Sequence, residues 1–277
     1  MITEDCVHYT SFSVLRKLII EESKFRISEG NFMNDPSEGK EFFNYLKYKP
    51  YTSCNAGSFS ESFSPKPFIG SFVTKEKHND LNMWRFYGKE EGVEAKGCAI
   101  TLRTEEFIVN INNFLTKEQK EARQGDESDI NFYRVVYLEN GTNFSIPGSE
   151  ENEEALQGLI KELKKNVDTY KGDNNTCLEK YLNNIAFLFK SDAYKNENEV
   201  RLVMKGIEYK KKYCNANEED KFINPPRVYI ELEPIKKIVS QITLGPKVDK
   251  VTEWASVFHY SYEKKAPAIM ISHLPYK

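Results

Sequence analysis

Glu197-Asn198-Glu199-Val200-Arg201-Leu202-Val203-Met204 is the stretch whose reading decides the fold. Read as a strand, it sets Glu197, Glu199 and Arg201 on one face and Val200, Leu202 and Met204 on the other. Same-face neighbours then stand roughly 7 Å apart. Two carboxylates held that close raise one another's pKa, and an arginine beside them can hold one ionised and oriented. Such a face suits the stabilisation of a cationic transition state or a hydrogen bond to a ribose. It equally suits an edge strand with a charged outer face, cross-paired to lysines.

Working outward, three more strands are expected over 227–232, 237–244 and 267–274, with a helix over 249–261 bearing Val251, Trp254 and Phe258. Upstream lie two amphipathic helices. One carries Leu156, Leu159, Ile160, Leu163 and Val167; the other carries Leu178, Ile185, Leu188 and Phe189. Lys171–Asn175 turns between them, and 140–154 is polar and expected to be mobile. Strands are also expected at Phe25–Ser28, Pro67–Thr74, Gly97–Leu102 and Phe132–Leu138, with Ser11 or Ser13 capping a helix that runs to about residue 22. Strands and helices do not alternate as βαβ units, so a doubly wound nucleotide fold fits poorly. The expectation is one α+β domain over 1–277, with a split or strongly bent antiparallel sheet flanked by helices.

Composition narrows the function classes. The net charge of −3 and the lack of a dense basic run argue against a general polyanion binder. Aromatics at 13% point to a core rich in Phe and Tyr. The five cysteines (Cys6, Cys54, Cys98, Cys177, Cys214) are odd in number and form no CxxC pair, which fits a reducing compartment. Met1-Ile2-Thr3-Glu4-Asp5 lacks a signal-peptide layout, and no apolar run nears the roughly 20 residues of a membrane span. A cytoplasmic protein without a membrane partner is expected. Neither phosphate-cradling glycine loop nor a GxSxG turn occurs.

Three further candidates stand beside the Glu-x-Glu-x-Arg stretch. His8-Tyr9-Thr10 ends a short strand, where a His can hydrogen-bond a ligand hydroxyl or serve structure alone. Trp84 and Tyr87 are three apart in Met83-Trp84-Arg85-Phe86-Tyr87-Gly88, after Ser71-Phe72. They can sandwich a flat ring such as nicotinamide or a base, or simply pack. In Asn34-Asp35-Pro36-Ser37-Glu38, Asp35 reads as an N-cap, Pro36 as the first helical residue and Glu38 as the closing residue of a capping box. The helix would continue through Phe42, Phe43 and Leu46, leaving Asn34 as a possible ligand contact.

Taken in order with Gly97-Cys98-Ala99-Ile100, these motifs resemble the bacterial family catalogued as domain of unknown function 2971, over about residues 7–245. Tyr194 stands where that family leads one to expect a tryptophan. The layout is also similar to the ADP-ribosyltransferase superfamily. That resemblance implies NAD as substrate, with His8 on the adenosine-side ribose and Tyr87 or Trp84 stacking the nicotinamide. Ser71 would stand on the central strand, Glu199 would be the catalytic glutamate, and Glu197 would orient the acceptor. The acceptor would be a protein side chain, a nucleic-acid base or water, and no metal is needed. A toxin or phage-defence role is implied at one further remove. Two rivals come from other classes. One is a module that binds a nucleotide without turning it over; the other is a nuclease holding a divalent cation on Glu197, Glu199 and Asp35.

Overall fold

In the computed structural model, residues 4–33, 35, 38–48, 65–118, 130–139, 141–170, 175–204, 212–214 and 225–276 are described. The chain begins β1 (Cys6–Thr10), α1 (Phe12–Ile19), β2 (Lys24–Glu29), α2 (Lys40–Leu46), β3 (Phe68–Thr74) and α3 (Leu81–Phe86). A short hairpin, β4 (Lys89–Glu90) and β5 (Val93–Glu94), leads to β6 (Cys98–Leu102), α4 (Thr104–Glu118), β7 (Ile130–Arg134), β8 (Val136–Glu139) and β9 (Asn143–Ser145). Next come α5 (Glu153–Thr169), α6 (Asn175–Ala186), β10 (Phe189–Ser191), β11 (Glu199–Met204) and β12 (Lys212–Cys214). β13 (Arg227–Pro234), β14 (Val239–Leu244), α7 (Val251–Tyr260) and β15 (Ala268–Ile271) complete it. Two compact units form: Met1–Ile27 with Ser71–Phe132 and Glu231–Lys277, and Ser28–Gly70 with Tyr133–Ile230.

The first unit is built on the strand order β3-β1-β6-β14-β15. β1 lies antiparallel to β6 from Cys6↔Leu102 to Thr10↔Cys98, and β14 flanks β6 antiparallel on its other side. All five residues of β6 are buried, as a central strand covered on both faces requires. β15 is parallel to β14, from Gln241↔Ala268 to Leu244↔Ile271. This corrects the expected antiparallel sheet. The cause is α7, which carries the chain back along the sheet so that β15 enters in the same direction as β14. Ser11 caps α1, its hydroxyl accepting from Val14 N at 3.3 Å, while Leu15, Leu18 and Ile19 turn their helical stripe inward. α4 went unread in the sequence; among its described side chains Phe107 and Ile111, four apart, are buried apolar contacts.

In the second unit β2 meets β3 antiparallel at Ser28↔Ile69 and Glu29↔Phe68, and β12 meets β13 antiparallel. A separate three-stranded sheet runs β10-β8-β9 with β10 and β8 parallel, a second departure from the antiparallel expectation. β11 is hydrogen-bonded to β3 and β7. The stretch 140–154, expected to be polar and mobile, instead supplies β9 and a 3-10 turn before α5, because Phe144 and Ile146 pack into the core. Phe42 of α2 stacks on Phe189 at 4.4 Å, and Leu46, Phe144, Ile160 and Leu182 close the core around them. Leu188 and Phe189, assigned by their spacing to a helix, lie beyond α6, and Phe189 begins β10. Among the described residues no helix is long and apolar enough to cross a membrane.

His8 carries a pH signature of the first unit. Its ring packs edge-on against Phe25 at 5.2 Å, and Nδ1 lies 3.1 Å from the Ser71 carbonyl oxygen, so the neutral ring donates there. Burial lowers its pKa, and the bond to Ser71 opposes this only in part. The unfolded chain therefore binds a proton that the folded chain refuses. Stability is full above the ordinary histidine range and falls as pH drops toward the lowered value. Unfolding free energy measured from pH 7 to pH 5 is expected to decline by up to about 1.4 kcal/mol per unit on His8's account. The slope should lessen in His8→Gln; an unchanged slope would mean that His8 keeps its proton in the fold.

Candidate functional site

All six residues of β11 are buried, and Arg201 at its centre is 0% exposed. A guanidinium without water must find its partners in the protein. Arg201 finds three. Nε donates to Glu199 Oε1 at 2.8 Å and Nη2 to Glu199 Oε2 at 3.0 Å, a fork of the kind that the two-residue strand spacing allows. Nη2 also donates to Glu38 Oε1 at 2.8 Å, while Glu38 Oε2 stands 2.7 Å from Nη1 outside hydrogen-bond geometry. Nη1 donates to the Phe187 carbonyl. The edge-strand alternative, with its charged face in solvent, does not hold.

A second cation, Lys190, enters from β10. Its ammonium donates to Glu197 Oε2 at 2.7 Å and Glu199 Oε2 at 3.1 Å, and stands 3.6 Å from Glu38 Oε1. It also lies 4.5 Å from the centre of the Tyr194 ring, so the tyrosine at the expected tryptophan position gives Lys190 an aromatic face. Three carboxylates thus share two cations, with side chains 0–12% exposed and Glu197 the most accessible. Burial opposes the charge on both cations, yet the carboxylates outweigh it. Glu199 and then Glu38 raise Arg201, and Glu199 and Glu197 raise Lys190. Tyr137 accepts from the Glu199 backbone N–H at 2.9 Å; burial first, then the Glu199 and Glu197 charges, pushes its hydroxyl pKa upward.

Local backbone explains how the cluster forms. Asn198 adopts φ 48°, ψ 52°, turning the 3-10 segment Asp192–Glu197 into β11. Glu197 therefore reaches Lys190 from a turn and not from the strand, a correction to the single-face reading. Glu38 does not close a capping box. α2 starts at Lys40 with Gly39 as its N-cap at φ 77°, and no side chain caps it. Gly39 and Gly30 both lie against the Phe187 ring, where an added Cβ would stand 2.9 Å and 2.6 Å from its Cζ. The left-handed turn at Gly39 delivers Glu38 to Arg201.

Sequence reasoning brought Glu197, Glu199 and Arg201 together but passed over Lys190 and assigned Glu38 to a cap. The signal for Lys190 was a lone lysine closing the apolar run Ala186-Phe187-Leu188-Phe189. Glu38 had no signal beyond the buried arginine's need for more than one counter-charge. Among the described residues no group of three or more His, Cys, Asp or Glu is disposed to hold a metal. The Lys190 ammonium stands where Glu197 and Glu199 would have met a cation.

The remaining candidates belong to the first unit, except Asn34, which lies outside the described residues. His8 meets Ser71 through the Ser71 carbonyl, not its hydroxyl. Tyr9 donates to Lys77 O at 2.6 Å and accepts from Asp80 N at 3.1 Å. Trp84 is 0% exposed, its Nε1 donating to Asn79 Oδ1 at 2.9 Å and its ring edge-on to Tyr9 at 4.8 Å. Tyr87 is half-buried beside Phe86. Thr10 contributes backbone: a Cβ at Gly97 would stand 2.4 Å from Thr10 O and 2.7 Å from Gly88 C. A Cβ at Gly88 would stand 2.5 Å from the Trp84 ring. Both glycines are therefore explained by close approach.

The model of a family described as protein of unknown function, DUF2971, matches residues 83–202 of the 277-residue chain. That span runs from Met83 and Trp84 through the Glu-x-Glu-x-Arg stretch. No curated protein and no solved structure matches the chain.

Proposed function

We propose that the chain is an NAD-consuming enzyme of the ADP-ribosyltransferase kind, with the carboxylate cluster of the second unit as its chemical centre. One observation carries the reading: Glu199 is 5% exposed and held on both oxygens by Arg201, with Lys190 on one of them. A carboxylate fixed in this way is preorganised for charge that develops on a ribose. When the bond from C1′ of the ribose to the nicotinamide nitrogen breaks, its electron pair leaves with nicotinamide and C1′ becomes oxocarbenium-like. Glu199 would stabilise that centre and accept a hydrogen bond from the ribose 2′-hydroxyl. Glu197, more exposed and held by Lys190 at Oε2, would orient the acceptor and receive its proton. A protein side chain or base as acceptor makes a transferase; water makes a glycohydrolase. A role as a bacterial toxin or phage-defence effector belongs to the same proposal.

A second reading, a nucleotide-binding module without turnover, is favoured by two observations. Arg201 and Lys190 already engage both oxygens of Glu199, and the zero exposure of Trp84 withholds one of the two rings assigned to nicotinamide. The test is incubation with labelled NAD, following free nicotinamide and label in lysate protein and nucleic acid. The enzyme reading expects release that drops at least about 100-fold in Glu199→Gln, the scale of losing one preorganised electrostatic group. Glu197→Gln should reduce transfer more than hydrolysis. NAD binding by calorimetry without release would establish the second reading, and absence of both would remove NAD from the account.

A further inference from the structure

We infer that the first unit holds a separate binding site for a phosphate chain, carried by a small polyphosphate or nucleotide, in a cleft beside β14 and the segment 261–268. The cleft has a volume of about 920 Å³. That is the size of a site for a small organic ligand, roughly 300–1,000 Å³. Its charge is unlike that of the chain. Arg103, Lys236, Lys237, Lys264 and Lys265 line it against only Glu22 and Glu263, whereas the whole protein carries −3. Like charges gathered on a concave wall focus the potential and draw in an anion of complementary sign.

The cations are only partly spent within the protein. Lys236 pairs with Glu22 at 2.8 Å, and Arg103 pairs with Glu106 at 2.5 Å while donating to Lys237 O. Lys237, Lys264 and Lys265 are exposed and have no carboxylate at ion-pair distance among the described residues. A polar orphan lies on the same wall. The Tyr262 hydroxyl is buried and has no hydrogen-bond partner among the described residues, although Lys236 lies 5.4 Å from the ring centre. Several flexible lysines suit a multivalent oxyanion better than a single carboxylate, which one arginine fork would satisfy.

Calorimetric titration of the full chain with tripolyphosphate, ATP and AMP tests the site. Saturable, salt-sensitive binding is expected for tripolyphosphate, ATP or both. Preference for ATP assigns a nucleotide, and equal affinity assigns the phosphate chain alone. The double substitution Lys264→Glu/Lys265→Glu should weaken binding by at least about tenfold. Lys161→Glu/Lys165→Glu, the same charge change on exposed positions of α5, should leave it within about twofold. No saturable binding at millimolar probe, equal loss from both double substitutions, or full affinity in the Lys264/Lys265 variant would overturn the site. Because the readout is binding and not nicotinamide release, its outcome is independent of the NAD proposal.

Discussion

Replacing Arg201 by methionine is expected to lower the unfolding free energy by about 3–5 kcal/mol, the cost of leaving buried counter-charges without their partner. Glu199 and Glu38, with side chains 5% exposed, would both lose the guanidinium they share. Urea unfolding at constant pH measures this as a shift in midpoint at unchanged slope. The loss belongs to the broken pairing more than to the net worth of the ion pairs. A triple variant, Arg201→Met with Glu38→Gln and Glu199→Gln, should therefore recover part of it, since neutral partners no longer carry stranded charge. A loss below about 1 kcal/mol for Arg201→Met alone would show that water reaches the cluster and screens it as at a surface.

Trp84→Ala is expected to cost a similar amount, about 3–5 kcal/mol, for a different reason: the largest fully buried side chain would leave a cavity. Asn79 Oδ1 would also lose its donor, and Gly88, whose small size accommodates the indole, would face empty space. Thermal melting with near-ultraviolet circular dichroism would record the loss. The same variant separates packing from ligand stacking. If Trp84→Ala retained stability within about 1 kcal/mol yet abolished NAD binding, the indole would be a ligand face, and its burial among Tyr9, Asn79 and Gly88 would have to open in solution.

The sequence made the two-residue spacing of Glu199 and Arg201 legible, because a strand's period places i and i+2 side by side whatever surrounds them. It did not reveal whether that face was wet. Val200, Leu202 and Met204 already supplied an apolar side for burial, so a charged outer face was the simpler reading until all six positions of β11 proved covered. Glu38 was hidden by a local explanation that was sufficient on its own terms: Asp-Pro-Ser-Glu spells a capping box, but the left-handed Gly39 ends the turn before the helix begins. Lys190 was hidden by helical periodicity that continued across Leu188 and Phe189 into a strand. The parallel pairs β14–β15 and β8–β10 depend on which way the chain returns, which no local pattern encodes. Strand positions fared better: β3, β6 and β13 each carry consecutive apolar residues, and β14 alternates Ile242 and Leu244 with polar neighbours.

Phe187 links the cluster to its own mutational history. Its carbonyl holds Arg201, and its ring occupies the space over both Gly30 and Gly39. A smaller residue at 187 would not by itself admit a methyl group at position 30, because Lys66 Cβ would still stand 2.9 Å from it. Position 39, whose nearest contacts are all with Phe187, would gain the room but not the licence, because its backbone sits at φ 77°, where any L side chain is strained. The three sites are therefore epistatic in an unequal way. Drift at 30 is conditional on both 187 and the backbone at Lys66, whereas 39 stays closed to substitution until the turn that presents Glu38 is itself rebuilt.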